Sequence, residues 1–201
     1  MIRIIFKEGQ GLGNQLWLFT VAKSISEKLN YELEIQNIEK FKGKKFLKLD
    51  CKNFVSDSEI NKKYNMEIFN ERIFYDSELR YLVSGYDQTI LNIKENTIIE
   101  GIFQSEKYFF DNLEKIKRYI IFKDRKNFNR VIEDDVCILN IRGGEYKRHK
   151  NFILPKSYWD KGMENIKKIN NIKKFKIVTD DYRYAKALFP NFEIISDSIE
   201  E

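Results

Sequence analysis

The sequence has very few of the residues that build metal sites and disulfide bonds. It contains one histidine, His149, and two cysteines, Cys51 and Cys137, in 201 residues. The cysteines are far apart and match no zinc-ligand spacing, and a single histidine cannot complete such a set. The sequence therefore predicts no metal site. Cys137 lies within an apolar run and is expected to be a buried free thiol.

Residues that interrupt regular structure are also scarce. The chain has two prolines and nine glycines, and it contains no Pro-rich or Gly/Ser-rich linker. No apolar run approaches the roughly 20 residues that a membrane-spanning helix needs. The sequence starts directly on a strand-like run, without a signal-peptide pattern. We therefore expect a cytoplasmic protein with no membrane span.

A strong excess of one charge sign is absent as well. The net charge is +5, from 36 basic and 31 acidic residues, and the basic residues are scattered. A nucleic-acid groove would need denser positive charge together with aromatic residues on one face. The sequence predicts no nucleic-acid partner, whereas its mild basic bias favours a small substrate that carries phosphate.

Apolar periodicity in the N-terminal part indicates an α/β chain. Residues 2–6 form a short apolar run typical of a buried parallel strand. Residues 14–29 have the spacing of an amphipathic helix, and residues 31–36 alternate like a second strand. This strand–helix–strand order is the beginning of an α/β domain. The pattern weakens between 39 and 97, where it predicts a helix near 57–69 together with loops and further helical turns.

Periodicity becomes clear again after residue 97. Residues 98–103 resemble a strand, and Ser105 is a plausible helix N-cap. A helix is then predicted because apolar residues share one helical face, namely Phe109, Leu113, Ile116 and Ile120.

A second α/β unit begins near residue 135. The polar stretch 123–135 is interpreted as a domain junction, which gives an N-terminal domain, 1–130, and a C-terminal domain, 131–201. Strands and helices alternate in the latter, at 136–142, 156–168, 175–179, 180–189 and 192–196. With three strands this domain is expected to be incomplete. Its open edge favours completion by a partner chain, as in a homo-oligomer, or packing on the first domain.

The loop after the first strand has the look of a dinucleotide-binding fingerprint. Glycines stand at 9, 11 and 13, but the last position of G-x-G-x-x-G is Asn14. Glu32 or Glu34 lies about where a ribose-binding acid would be expected. A tight turn without a ligand is the simpler interpretation. The dinucleotide interpretation leaves unexplained the amides of Asn14 and Gln15 at the helix mouth, which can bind sugar hydroxyls as well as cap the helix.

Three segments stand out for their order and spacing. They are GQGLGNQLWLF (9–19), GIFQSEKYF (101–109), and LNIRGGEY (139–146) followed by LPKSYW (154–159). Together they resemble the α-1,2-fucosyltransferases of the GDP-fucose-dependent glycosyltransferase superfamily, and residues 175–189 resemble a further block of that family. The likeness runs along the whole chain and is weakest in the middle third.

The resemblance implies a GT-B-like architecture of two facing Rossmann-type domains. The acceptor would lie mostly on the N-terminal domain and the nucleotide sugar mostly on the C-terminal one. The implied reaction is inverting, metal-independent transfer of L-fucose from GDP-fucose to a galactose hydroxyl of a glycan, in α-1,2 linkage, as in polysaccharide biosynthesis. GDP-fucose is the donor substrate, and no other cofactor is implied. The acceptor-side cleft would include Gly11, Gly13, Asn14, Gln15 and Gln104.

The same resemblance assigns the central role to Arg142. The family has a His-x-Arg-Arg-Gly-Asp-like motif after a strand, and this chain has Asn140, Ile141, Arg142, Gly143, Gly144 and Glu145 in those places. A guanidinium beside the β-phosphate stabilises the charge that grows on the departing GDP. The chain lacks the second arginine, because position 143 is glycine, and it lacks the usual histidine and aspartate.

Further donor-side residues follow from the resemblance and from strand position. Asn140, Gly144 and Thr179 are expected beside the donor. Asp180 and Asp181 follow a parallel strand, where ligands bind in open α/β sheets, and they either contact guanine or ribose or cap the next helix. Glu145 is the candidate general base, or alternatively an Arg142 partner or helix cap. His149, in a basic loop, is more often solvated than catalytic.

Two other functions remain open. A truncated or degenerate relative would bind a nucleotide sugar or a glycan without transfer. Two features motivate this hypothesis: the altered arginine motif, and the absence from this sequence of the Ser/Thr- and Trp-rich block with which family members usually continue. A dinucleotide-dependent oxidoreductase is the third hypothesis, and Asn14 in place of the final glycine counts against it.

Overall fold

The chain folds into two units, Met1–Lys126 and Asn127–Glu201, each with its own parallel sheet. The computed structural model describes residues 1–56, 65–78, 81–123, 135–148 and 150–195. The predicted α/β class with parallel sheets is confirmed, and most of the predicted junction, 123–135, lies outside the described residues.

The described residues of the N-terminal unit form nine short strands. They are β1 (Ile2–Ile5), β2 (Leu33–Gln36), β3 (Leu47–Leu49), β4 (Asn53–Val55), β5 (Glu67–Asn70), β6 (Ile73–Asp76), β7 (Tyr81–Ser84), β8 (Thr97–Glu100) and β9 (Ile120–Phe122). Five of them form one parallel sheet in the order β4-β2-β1-β8-β5. The other four make two antiparallel pairs, β3 with β9 and β6 with β7.

One long helix covers this sheet. Helix α1 (Leu12–Leu29) starts after the glycine loop and ends at Asn30, which adopts the left-handed conformation common at helix ends. Its predicted apolar face is confirmed, because Leu18, Ala22 and Ile25 are buried against the strands. The apolar face of α1 and the buried side chains of β1 belong to one hydrophobic core, which holds the helix against the sheet.

The helix predicted across Phe109 to Ile120 is wrong. A 3₁₀ turn (Phe110–Asn112) and a single α-turn, α2 (Leu113–Ile116), occupy its first part. Ile120 instead begins β9 and pairs with Leu49 of β3. Helical spacing of apolar residues therefore loses to strand pairing with a segment about 70 residues away.

A second helix prediction also fails where it can be compared. The segment near 57–69 ends in β5, which is a strand between Glu67 and Asn70. Residues 57–64 lie outside the described residues. The predicted strand 98–103 is shorter than expected, since β8 ends at Glu100, and Ser105 precedes a 3₁₀ turn (Glu106–Tyr108) without a side-chain cap bond.

The C-terminal unit follows the predicted pattern closely. It contains β10 (Val136–Ile141), α3 (Lys156–Ile169), β11 (Lys174–Thr179), α4 (Tyr182–Leu188) and β12 (Glu193–Ile195). The strands are parallel in the order β10-β11-β12. Leu139, Ile141 and Ile177 on one sheet face join Ala185 and Phe189 in a small core. Cys137 is a free thiol but only partly buried, because it stands in β10 at the end of that core.

None of the helices in the described part of the chain combines the length and the apolar character needed to cross a bilayer.

Candidate functional site

The carboxyl edge of the C-terminal sheet brings the predicted donor-side residues together. Ile141 pairs with Thr179 at the ends of β10 and β11, so Arg142 and Asp180 follow adjacent parallel strands. Loops at this edge of an open parallel sheet are where α/β proteins bind ligands. Arg142, to which the resemblance assigns the phosphate contact, thus lies at this edge of the sheet.

Arg142 is held in place on several sides. Its Nε atom lies 2.9 Å from Asp180 Oδ2, and its guanidinium stands over the Tyr146 ring, 5.0 Å from the ring centre. The terminal Nη2 atom lies 3.8 Å from Glu145 Oε1, which is a weak contact. The side chain is 49% exposed, so its outer edge retains donors for an anion while the Nε side is fixed.

Gly143 is glycine because the protein fills the adjacent space. A Cβ atom at this position would lie 2.6 Å from Asp181 Cβ and 3.0 Å from the Tyr184 ring. The Gly143 N–H also donates to Asp180 Oδ1 at 2.7 Å. The second arginine of the family motif therefore has no room here, and Asp180 ties together both residues that follow β10.

Asp181 caps helix α4. Its Oδ1 atom accepts from the Tyr184 N–H at 3.0 Å, and its Oδ2 atom pairs with Lys147. The hydrogen bond from Lys147, followed by that from the Tyr184 amide, lowers the pKa of the Asp181 carboxyl below its usual value. Thr179 is buried, and its hydroxyl accepts from the Asp181 N–H at 3.0 Å. Both residues thus shape the loop through internal contacts.

The remaining predicted donor-side residues differ in exposure. Asn140 and Gly144 are exposed at the same edge, and Glu145 is 74% exposed in a 3₁₀ segment (Gly144–Arg148). His149 lies outside the described residues. The loop carries three cations, Arg142, Lys147 and Arg148, beside three carboxylates, Glu145, Asp180 and Asp181. An anion at this edge would therefore depend on the placement of hydrogen-bond donors more than on net charge.

The glycine loop of the N-terminal unit is open. Apart from chain neighbours and the nearby backbone of α1 itself, no described atom comes within 4 Å of a Cβ built on Gly9, Gly11 or Gly13, and Gly9 has a positive φ of 80°. Gly11 is the N-cap of α1 and makes no side-chain cap bond. Packing inside the described protein accordingly gives no reason for glycine at 11 and 13.

Of the two predicted amides, one is internal and one is exposed. Gln15 is fully buried: its Nε2 donates to Lys40 O and its Oε1 accepts from Lys42 N, both at 2.9 Å. That amide anchors the segment after β2 and is not available to a sugar hydroxyl. Asn14 Oδ1 accepts from Gln104 Nε2 at 3.2 Å in an exposed pair. Segments 9–19 and 101–109 therefore meet at the sheet edge.

The residue before Gln104 has a strained backbone. Phe103 has φ 52°, in the left-handed region that bulky side chains rarely adopt, and it is fully buried. Its carbonyl accepts from Trp17 Nε1, and its ring packs edge-on against Tyr108. Such strain persists where surrounding contacts enforce it, and it occurs often at binding sites. Here it fixes the direction in which Gln104 leaves the core.

The structure also answers the dinucleotide question. Glu34 is buried within β2 and pairs with Arg3 of β1, while Glu32 precedes β2 at the amino end of the sheet and contacts Asn53. Neither carboxylate reaches the carboxyl edge, where a ribose-binding acid would have to lie. This arrangement disfavours the oxidoreductase hypothesis.

Sequence reasoning missed three charged residues at the N-terminal sheet edge. Lys7 follows β1, Glu100 ends β8, and Glu71 follows β5, so all three meet at one end of adjacent strands. Lys7 Nζ lies 3.3 Å from Glu100 Oε1. Correct placement of β5 would have revealed them, because charged residues at strand ends share an edge.

The described residues contain no group of three or more His, Cys, Asp or Glu side chains that could hold a metal ion.

Comparison with known proteins gives a structural likeness only. No protein-family model and no curated protein sequence matches the chain. The fold is similar to a crystal structure of the fucosyltransferase NodZ from Bradyrhizobium, with a TM-score of 0.53 and 16% sequence identity over 98% of this chain and 79% of that one. A crystal structure of the α-1,6-fucosyltransferase NodZ soaked with GDP-fucose matches with a TM-score of 0.52 and 15% identity, over 98% of this chain and 79% of that one.

A third NodZ structure, co-crystallised with GDP, matches with a TM-score of 0.51 and 14% identity, over 96% of this chain and 77% of that one. The chain therefore has a GT-B-like α/β fold of the kind seen in NodZ.

Proposed function

We propose that the chain transfers L-fucose from GDP-fucose to a galactose hydroxyl of a glycan, with inversion and without a metal ion. The motif resemblance supports this, and so does the likeness to NodZ, whose crystals were soaked with GDP-fucose and grown with GDP. The observation that carries the proposal is Arg142. Its guanidinium is fixed by Asp180 at the carboxyl edge of a parallel sheet, with its outer nitrogen atoms exposed.

The proposed chemistry explains why an arginine should be there. As the bond between the anomeric carbon and the diphosphate breaks, its electron pair leaves with GDP and negative charge grows on the β-phosphate. A guanidinium already in position stabilises the transition state more than the ground state. It offers two parallel donors, which an ammonium cannot do. One such contact is worth roughly 3–4 kcal/mol of barrier.

The neighbouring residues take supporting parts in this proposal. Asp180 orients Arg142 and the Gly143 amide, and Asp181 and Thr179 fix the start of α4. Asn140 and Gly144 are exposed at the edge and would contact the donor. Glu145 is the proposed base for the acceptor hydroxyl, because it is a largely exposed carboxylate beside the phosphate-binding residue.

The N-terminal unit is proposed to hold the acceptor. Gly11 and Gly13 leave open space, and Asn14 and Gln104 present an exposed amide pair. Cytoplasmic synthesis of a surface polysaccharide precursor is the setting that we propose. The α-1,2 linkage rests on the sequence motifs, whereas the NodZ structures are of an α-1,6-fucosyltransferase. The linkage in the product decides between the two.

A binding protein without transfer activity is the second candidate. The observation that favours it is Gly143, since packing against Asp181 and Tyr184 excludes a second arginine. Such a protein would bind GDP-fucose or a glycan and release neither GDP nor a fucosylated product.

The test is an assay with GDP-fucose, lactose and EDTA, read by GDP release and by NMR of the purified product. We expect metal-independent GDP release and α-1,2-fucosyllactose. Arg142→Ala should reduce the rate by about 10²–10³-fold. The control Arg118→Ala removes an exposed arginine of the other unit and should leave the rate unchanged. GDP binding without product would support the second candidate, and full activity of Arg142→Ala would contradict the proposal.

A further inference from the structure

A pocket of about 620 Å³ opens at the carboxyl edge of the N-terminal sheet. Its walls come from the residues after β1, β5 and β8 and from the β6–β7 hairpin. Pockets that hold small molecules have volumes of roughly 300–1,000 Å³ and combine apolar walls with a few placed polar groups. The pocket lies wholly within the N-terminal unit.

The floor of the pocket is the carboxylate of Glu71, which is held by the backbone at one of its two oxygen atoms. Glu71 Oε2 accepts from the Ile102 N–H at 2.6 Å, and Glu71 packs on Gly101, where an added Cβ would lie 2.4 Å from Glu71 Cβ. Oε1 of the same carboxylate is buried and has no hydrogen-bond partner among the described residues. A buried oxygen without a donor is unfavourable, and a ligand hydroxyl reached by a small rotation of the carboxylate would supply one.

Polar groups surround this floor. Glu100 pairs with Lys7 at 3.3 Å, and Gln104, which also lines the pocket, donates to Asn14 in the glycine loop. These groups offer carboxylate and amide oxygens as acceptors together with ammonium and amide donors. A molecule with several hydroxyl groups, each both donor and acceptor, matches this set.

The β6–β7 hairpin provides an apolar wall. Ile73 is paired with Ser84 and Tyr75 with Leu82, and directly opposed residues share a sheet face. Ile73, Leu82 and Ser84 line the pocket, and Tyr75, which is 63% exposed, extends the same face beyond it. An apolar wall that continues into an exposed aromatic ring suits the C–H face of a sugar ring and of its neighbour in a chain.

We propose that this pocket binds a neutral sugar unit and discriminates against acidic sugars. The charged residues that line the pocket are two carboxylates, Glu71 and Glu100, and one lysine, Lys7, which pairs with Glu100, so an additional anion would be repelled and poorly solvated. The pocket is the acceptor site only if the proposed fucosyl transfer is correct. Saccharide binding itself does not depend on that activity.

The experiment compares methyl β-galactoside with its uronic acid, which differs by one carboxylate. Saturation-transfer NMR titrations with the full chain, in the presence and absence of GDP, give the two dissociation constants. We expect the neutral sugar to bind at least tenfold more tightly. Glu100→Gln should narrow that ratio at least threefold, because it removes one like charge. Ile102→Trp should abolish binding of both sugars by filling the pocket from an exposed position.

The matched control is Glu95→Gln, an exposed glutamate just before β8 at the amino end of the same sheet, which should bind both sugars like wild type. Absence of galactoside binding, equal affinity for both sugars, or unchanged binding by Ile102→Trp would overturn the proposal. Sugar binding without GDP release from GDP-fucose would contradict the proposed fucosyl transfer and would still support saccharide binding by the pocket. Transfer that is unaffected by the pocket variants would mean that the acceptor binds elsewhere.

Discussion

The glycine loops at the two sheet edges differ in what surrounds them. Apart from chain neighbours and the nearby backbone of α1, no described atom lies within 4 Å of a Cβ added to Gly11 or Gly13 in the N-terminal unit. A Cβ added to Gly143 in the C-terminal unit would lie 2.6 Å from Asp181 and 3.0 Å from Tyr184. The C-terminal loop needs glycine for its own packing. The N-terminal loop does not, so we infer that its glycines keep space for something that approaches from outside, which under the proposed function is the acceptor.

Among the glycine substitutions, Gly143→Ala should have the largest effect on stability. We expect it to destabilise the C-terminal unit by about 1–3 kcal/mol, as insertion of a methyl group into a filled site usually does. Urea unfolding followed by circular dichroism gives the free energy of unfolding. The matched control is Gly162→Ala in α3, where no described atom lies within 4 Å and glycine is in a helix interior.

That control should be more stable than wild type by roughly 0.5–1 kcal/mol, because alanine is the better helix former. If Gly143→Ala were as stable as Gly162→Ala, steric exclusion would not explain the missing second arginine.

Protonation of Asp181 should weaken the same loop. Its pKa is lowered in the folded protein, first by the Lys147 hydrogen bond and then by the Tyr184 amide, so the unfolded chain binds this proton more tightly. The resulting stabilisation is fully present above the unfolded-state pKa of about 3.9 and is lost as the pH falls through the folded-state value. Unfolding free energies should change little between pH 7 and about pH 5 and should show this loss between about pH 5 and pH 2.

Two variants separate the causes of that pH dependence. Asp181→Asn keeps a good capping residue but removes the titrating group, so stability should fall less steeply with acid than in wild type. Lys147→Met removes the larger cause and should remove part of the steepness. An unchanged acid profile in both variants would show that Asp181 does not carry the effect.

The sequence predicted the C-terminal edge better than the N-terminal one. β10, β11 and β12 are parallel, β10 is a near-continuous apolar run, and Arg142 and Asp180 directly follow β10 and β11 as predicted. The contact that excludes an arginine at 143 joins residues 38 positions apart, which no local pattern encodes. Likewise, both polar atoms of the Gln15 amide bond to the backbone of Lys40 and Lys42. Ile120 has the spacing of a helical residue but pairs with Leu49 in a strand.

Gly13→Ala should have the smallest effect on stability. Position 13 lies in the first turn of α1 with no described neighbour, so alanine should raise the free energy of unfolding by at most about 1 kcal/mol. If the open space admits the acceptor, the same change should lower the transfer rate severalfold. Urea unfolding and the GDP-release assay check the two parts. Lower stability would mean that the glycine serves internal packing after all.

Calorimetric titration with GDP in EDTA tests the central claim most directly. Arg142 is proposed to hold the diphosphate without a second arginine, and a charge-assisted contact is worth roughly 1.5–3 kcal/mol. Arg142→Ala should therefore weaken GDP binding at least tenfold, and Arg142→Lys should recover only part of the loss because an ammonium lacks the planar fork. Both variants should melt like wild type, since the side chain is half exposed. An Arg142→Ala protein that melts and binds GDP like wild type would contradict the account.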